Sequence, residues 1–199
     1  AQGMSLSDMA VLVRAGHQTR AFEDRFVTIG LPYRVVGGLR FFERAEVRDA
    51  LAYMRLTITP ADDLAFERVV NVPKRGLGDT SVQAVAVAAR AAGLPMLVAA
   101  ADPVVVGGLR PKARAALADF TRMIAGWREA LSHEPHGEVV RQMLDESGLT
   151  GMWQTEKTPE AQGRLDNLKE LVRTVEEFDS LPAFLEHVSL VMDTDTRAG

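Results

Sequence analysis

The segment Val72-Pro-Lys-Arg-Gly-Leu-Gly78-Asp-Thr-Ser-Val82 places two glycines, Gly76 and Gly78, directly before a helix start, with Lys74 and Arg75 ahead of them and Thr80 just behind. Glycine there permits a tight turn and close approach of the backbone to a ligand. The free amides and the dipole of the following helix favour an anion, and Lys74 and Arg75 add charge. Helix-hairpin-helix modules hold a DNA backbone in this way. An ordinary helix-linking turn uses the same residue types, and the pattern alone leaves both readings open.

A second stretch carries Arg34, Arg40, Arg44 and Arg48 with Phe41-Phe42 among them. Cations along a phosphate track with aromatic faces between them suit single-stranded nucleic acid. Adjacent phenylalanines beside a helix equally suit anchorage to a core, the stronger of the two readings. A third stretch, Asp145-Glu-Ser-Gly-Leu-Thr150, reads first as a helix end with Gly148 at the cap.

Other chemistry is excluded or unsupported. Cysteine is absent, so disulfides, thiol catalysis and cysteine-bound metals cannot occur. The four histidines, His17, His133, His136 and His187, are scattered, and His133-Glu-Pro-His136 lacks the i, i+4 spacing that aims two imidazoles at one zinc. No metal site is expected. Neither a Gly-x-Ser-x-Gly elbow nor a Walker phosphate loop is present, and the pair Asp62-Asp63 suits a helix start better than acid/base work. A free-standing enzyme is not expected.

The elements that must position these residues are mostly helices. Met9-Ala-Val-Leu-Val-Arg14 and Tyr33-Arg-Val-Val36 read as short buried strands. Between them, Phe22, Phe26 and Ile29 share one face of a helix, with Glu23, Asp24 and Arg25 on the other. The expectation is a mainly α, multi-helical fold with a small two-stranded parallel β-α-β element near the N-terminus. Helices follow over 44–56, through Phe66 and Val70 behind a cap at Asp62 or Asp63, and from Asp79 through Ala89. More are expected over 113–131, 137–147, 161–178 and 181–191. The looser stretch Asp102 to Pro111 suggests a division near residue 107, giving units 1–107 and 108–199. Trp127 and Trp153 are expected to pack between helices.

At 47% hydrophobic and 25% charged over 199 residues, the chain has the composition of a globular protein. No run approaches the ~20 apolar residues of a membrane span, and a cytoplasmic location is expected. The formal net charge of −4 supplies no overall attraction for nucleic acid, so any such binding must use local basic patches and backbone amides.

Several blocks, in this order and spacing, resemble UvrD/PcrA/Rep-type superfamily 1 DNA helicases. They are Val11-Leu-Val-Arg14 with Gln18-Thr-Arg20, Leu31-Pro-Tyr-Arg-Val-Val-Gly-Gly38, Phe41 through Tyr53, and Phe66 through Gly78. Asp145-Glu-Ser-Gly-Leu149, Arg164-Leu-Asp-Asn-Leu-Lys-Glu-Leu171 and Ala183-Phe-Leu-Glu-His187 resemble the family's helical insertion. The resemblance covers nearly the whole chain. It implies the N-terminal part of the second RecA-like motor domain (2A, 1–107) and the 2B insertion (108–199) of a 3′–5′ ATP-dependent helicase acting in DNA repair or replication.

Through that resemblance Arg14 is a motif IV arginine finger on ATP, catalytic in the parent, with Gln18 and Arg20 also at the nucleotide. Where the family often has an adenine-stacking tyrosine, this chain has Val13. ATP and Mg belong to the intact parent; none is expected on this chain, which lacks the phosphate loop and the Asp-Glu magnesium motif and should be inactive alone. The DNA-contact candidates are Arg40, Phe41, Phe42, Arg44, Lys74, Arg75, Gly76, Gly78, Thr80, Gly148 and Thr150. The partners implied are DNA at a single-strand/duplex junction and the remaining helicase domains. Because the rest of the sheet lies elsewhere in such proteins, the two strands should have an unpaired edge. That edge is expected to pair as a dimer, to be hidden by rearranged helices, or to leave residues 1–40 poorly ordered. The competing reading is a regulatory or protein-binding helical module that inhibits the motor or docks a repair partner.

Overall fold

The computed structural model describes residues 5–35 and 40–196, with the side chains of Ser7 and of residues 193–196 left aside. Among the described residues there are ten α-helices and no strand. They are α1 (Thr19–Thr28), α2 (Ala45–Ile58), α3 (Asp63–Val69), α4 (Asp79–Ala92), α5 (Met96–Ala101), α6 (Pro111–Ala130), α7 (His136–Glu146), α8 (Leu149–Thr155), α9 (Pro159–Glu176) and α10 (Leu181–Thr196). None is long and apolar enough to cross a membrane.

The β-α-β expectation is therefore corrected. Residues 9–15 form no regular element, and Val11, Leu12 and Val13 are exposed. Residues 31–35 are likewise irregular; Val36, Gly37 and Gly38 lie outside the described residues. A strand exists only by exchanging hydrogen bonds with a neighbouring strand, and branched apolar residues without such a neighbour leave their amides to solvent. Among the described residues there is thus no strand to offer the expected unpaired sheet edge.

Helix α1 sits where expected but inverted. Arg20 and Glu23 are its buried residues, whereas Phe22 is 42% exposed. The apolar face has the right period for packing on a sheet, and no sheet lies beneath it. Of the polar face, Arg20 meets Glu170 of α9 and Glu23 accepts from the Phe41 amide.

Helix α2 is the centre of the fold. Val47, Ala50, Leu51, Ala52, Tyr53, Met54 and Leu56 are buried on all its sides, because α3, α6, α7, α9 and α10 surround it. A helix enclosed in this way loses the one-sided apolar stripe of a surface helix. Its Tyr53 ring lies 5.8 Å from Trp127 and 6.2 Å from Phe120 of α6, and Phe120 meets Phe66 of α3 edge-on at 5.7 Å. At its C-terminal end, Arg128 of α6 donates twice to the Thr57 carbonyl, each at 2.9 Å. These bonds satisfy an acceptor that a helix end leaves open.

Local chemistry sets the boundaries. Asp62 caps α3 by accepting from the Ala65 amide at 2.9 Å, while Asp63 accepts from the Met96 amide at 2.8 Å and ties α3 to α5. Pro111 and Pro159 occupy the first turns of α6 and α9, where a missing N–H is harmless. Asp79 is the first helical residue of α4 and Gly78 the cap. The division placed near residue 107 falls in the connection between α5 and α6, and the buried side chains before and after it belong to one core.

Candidate nucleic-acid interface

The turn between α3 and α4 is folded by Asn71. Its Oδ1 accepts from the amides of Arg75, at 2.8 Å, and Leu77, at 3.2 Å. A side-chain acceptor serving two downstream amides curls the backbone into a loop. Leu77 is 1% exposed and plugs the core, which leaves Lys74, Gly76 and Gly78 facing out. Gly76 has φ +77°, a conformation that favours glycine. Beyond Gly78 no side chain caps α4, and Asp79 and Thr80 are exposed in its first turn.

Arg75 points the other way. Its guanidinium donates to the carbonyls of Val69 at 3.2 Å, Pro73 at 3.1 Å and Ser147 at 2.7 Å, and to the Tyr53 hydroxyl at 2.7 Å. It also lies 5.3 Å from the Phe120 ring centre. The Tyr53 hydroxyl donates to the Val72 carbonyl at 2.6 Å. Burial pushes Tyr53 up to about 12, against the opposing pull of Arg75.

The Ser147 contact brings two turns together. Ser147 is buried and donates to the Leu144 carbonyl at 3.2 Å, and Gly148, at φ +85°, ends α7 and caps α8. A Cβ at Gly148 would come within 3.5 Å of Pro73 Cγ. The two turns thus meet through Arg75 with Ser147 and Pro73 with Gly148, while Lys74, Gly76, Gly78 and Thr80 are exposed on one turn and Thr150 is half-buried on the other.

The arginine and phenylalanine stretch is arranged differently. Phe41 and Phe42 are 0% and 3% exposed, edge-on to each other at 5.2 Å, with Phe42 6.3 Å from Phe184. Arg44 donates to Asn167 Oδ1 at 2.8 Å and Thr19 Oγ1 at 3.2 Å, and burial lowers its pKa. Arg40 lies over the Tyr33 ring at 5.9 Å. These four residues join the N-terminal segment to the helical body. Arg34 and Arg48 are exposed.

The expected nucleotide residues all lie in the N-terminal segment, each in a different setting. Arg14 is exposed, and Gln18 Oε1 accepts from the amides of Arg14 at 3.0 Å and Ala15 at 3.2 Å. Arg20 is enclosed by carboxylates, donating to Glu170 at 3.0 Å, Asp24 at 2.9 Å and Glu177 at 2.8 Å. Burial alone would lower its pKa; the Glu177 hydrogen bond and the surrounding charges outweigh burial and raise it. A triphosphate approaching Arg20 would meet three carboxylates, while Gln18 organises the turn that follows Arg14. Among the described residues no group of His, Asp or Glu converges as a metal site.

Sequence reasoning missed the polar stripe of α9. Arg164 and Asn167 donate to the buried Glu46 carboxylate at 2.9 and 2.6 Å, while Glu170 receives Arg20. The signal was present as three polar residues spaced by three, one helical face. Arg164 also lies 4.5 Å from the Trp153 ring centre.

Comparison with known proteins identifies the family. The family model described as the UvrD-like helicase C-terminal domain matches residues 1–100. A probable DNA helicase II homolog of Rickettsia felis is 42% identical over 188 residues, covering 94% of this chain and 29% of the relative. ATP-dependent DNA helicase PcrA of Bacillus subtilis is 38% identical over 196 residues, covering 96% and 26%. DNA helicase II of Escherichia coli is 36% identical over 197 residues, covering 94% and 27%. The chain thus spans under a third of the length of these relatives. With the model matching half its residues, the chain belongs to the UvrD-like helicase C-terminal domain family.

Proposed function

We propose that this chain is the duplex-contacting part of an ATP-dependent, 3′–5′ DNA helicase, and that its paired turns at 71–80 and 147–150 bear on the DNA backbone. One observation carries the reading: Arg75 stitches the two turns together and leaves Lys74, Gly76, Gly78 and Thr80 exposed. A rigid turn presenting backbone amides, a hydroxyl and a cation suits phosphate oxygens, which position a protein without reading sequence. The names of the relatives, DNA helicase II and PcrA, support the choice of DNA. In the whole helicase the phosphate loop and the magnesium site would come from other domains, with the exposed Arg14 of this chain reaching the nucleotide as the motif IV arginine, and the exposed apolar residues Val11, Leu12, Val13 and Phe22 would pack against those domains.

The test is salt-dependent binding of the chain to a duplex with a 3′ single-stranded tail, beside Lys74→Ala. The variant should bind more weakly, with a salt slope lower by about 1, the value for one lost phosphate contact. Unchanged affinity and slope would remove the turn from the DNA contact.

One observation favours the competing protein-docking reading. A groove of about 590 Å³ between α6 and α7 is floored by Met123, Gly126 and Trp127 and edged by Glu129, Glu134 and Glu146. Its charge suits a basic partner segment and repels DNA.

A further inference from the structure

Helix α6 opens on an arrangement that the fold does not account for. Arg110, Lys112 and Arg114 stand in and before its first turns, all exposed, and no acidic residue accompanies them in the first turn. The N-terminal end of a helix carries partial positive charge, so cations there are disfavoured. Among the described residues none of the three has an ion pair, and the one hydrogen bond recorded for their side chains runs from Arg114 to the Gly107 carbonyl at 3.5 Å.

Tertiary packing sets this cluster against the 71–80 turn. The position a Cβ would take at Gly76 lies 3.8 Å from Lys112 Cε. Lys112 therefore flanks the exposed left-handed glycine of that turn, some 36 residues away in sequence, with Lys74 two residues before the glycine. Within 74–80 and 110–114 the sole acidic residue is Asp79. A chain of net charge −4 thus concentrates outward-facing cations in one place.

Building on the reading of that turn as a DNA contact, we infer that Lys112, with Arg114 beside it, forms a second phosphate-binding segment that extends the contact along the same duplex backbone. The recognised chemistry is the phosphodiester, without base readout, because ammonium and guanidinium groups at the rim of a turn meet phosphate oxygens first. An anion there also relieves the unfavourable placement of cations at the head of α6.

The experiment titrates a fluorescein-labelled blunt duplex, and the single strand of equal length, with the chain, its Lys112→Gln/Arg114→Gln variant and its Lys74→Gln variant over a range of salt. The double variant should keep or slightly raise the melting temperature, since it removes cations from a positive helix end and breaks no ion pair. It should bind duplex roughly threefold or more weakly at low salt, with a slope reduced by about 1 to 2. Weakening by Lys74→Gln alone would overturn this inference and leave the turn reading standing. Wild-type affinity in both variants, or no binding by the unaltered chain, would overturn both. Equal loss on single strand and duplex would overturn the duplex assignment.

Discussion

Arg75 Nη2 donates to the carbonyl oxygen of Ser147 at 2.7 Å, joining two turns that lie 72 residues apart. The bond makes one surface of two segments that the sequence presents separately. It also divides the basic pair Lys74-Arg75 into an outward cation and an inward staple.

Arg75→Ala should destabilise the chain by about 2 to 4 kcal/mol, because it leaves the Tyr53 hydroxyl and several carbonyls without their charged donor. Arg75→Lys should recover little, as an ammonium cannot reproduce the planar fork. Urea unfolding measures both. Lys74→Ala, made at an exposed residue, should unfold with the unaltered chain. Equal stability of Arg75→Ala and the unaltered chain would remove the staple.

Gly148→Ala should cost about 1 to 2 kcal/mol, since φ +85° is strained for any residue with a Cβ. The new methyl would also press toward Pro73. The equivalent change at Gly126, inside α6 with open space around it, should be neutral or slightly stabilising, so the pair compared by thermal melting isolates the backbone effect.

Glu46→Gln should cost about 2 kcal/mol, because an amide can face only one of the two donors, Arg164 and Asn167, with an acceptor. A double-mutant cycle of Glu46→Gln with Asn167→Ala should give a coupling of about 1 kcal/mol or more. Additive losses would mean that α2 and α9 are held by their apolar contacts alone.

Tyr53 and Tyr33 are the only tyrosines in the chain, and burial pushes both up to about 12 from 10.0. The folded state therefore holds these phenolic protons more tightly than the unfolded chain. Their stabilising contribution is complete below pH 10 and is lost as pH rises from 10 toward 12, roughly 2 to 3 kcal/mol for the fully buried Tyr53. Ultraviolet titration should show tyrosinate appearing together with unfolding. A transition near 10 in the folded chain would contradict the burial of both hydroxyls.

Much of the helical framework is legible in the sequence because its signals are local. Asp62 and Gly148 mark helix ends through bonds and torsions involving a few neighbouring residues, whereas Pro111 and Pro159 start α6 and α9 two residues ahead of the expected 113 and 161. The apolar spacing of α2, α6 and α9 follows from the helical period. The short helices α5 and α8 were not separated from their surroundings, being too brief for a period to declare itself.

What the sequence determined by itself is therefore the helical class, the positions of the principal helices and the family, all of which rest on local pattern. Only tertiary structure decided which patterns found partners. Met9–Arg14 has strand composition and forms no strand, because a ladder needs a neighbour. Phe22 has the period of a buried face and lies exposed. Lys74 and Arg75 are alike in charge and adjacent in sequence, yet the Ser147 carbonyl and the Tyr53 hydroxyl draw one inward and leave the other on the surface. Periodicity states which residues share a face; what that face meets is set by segments far away along the chain.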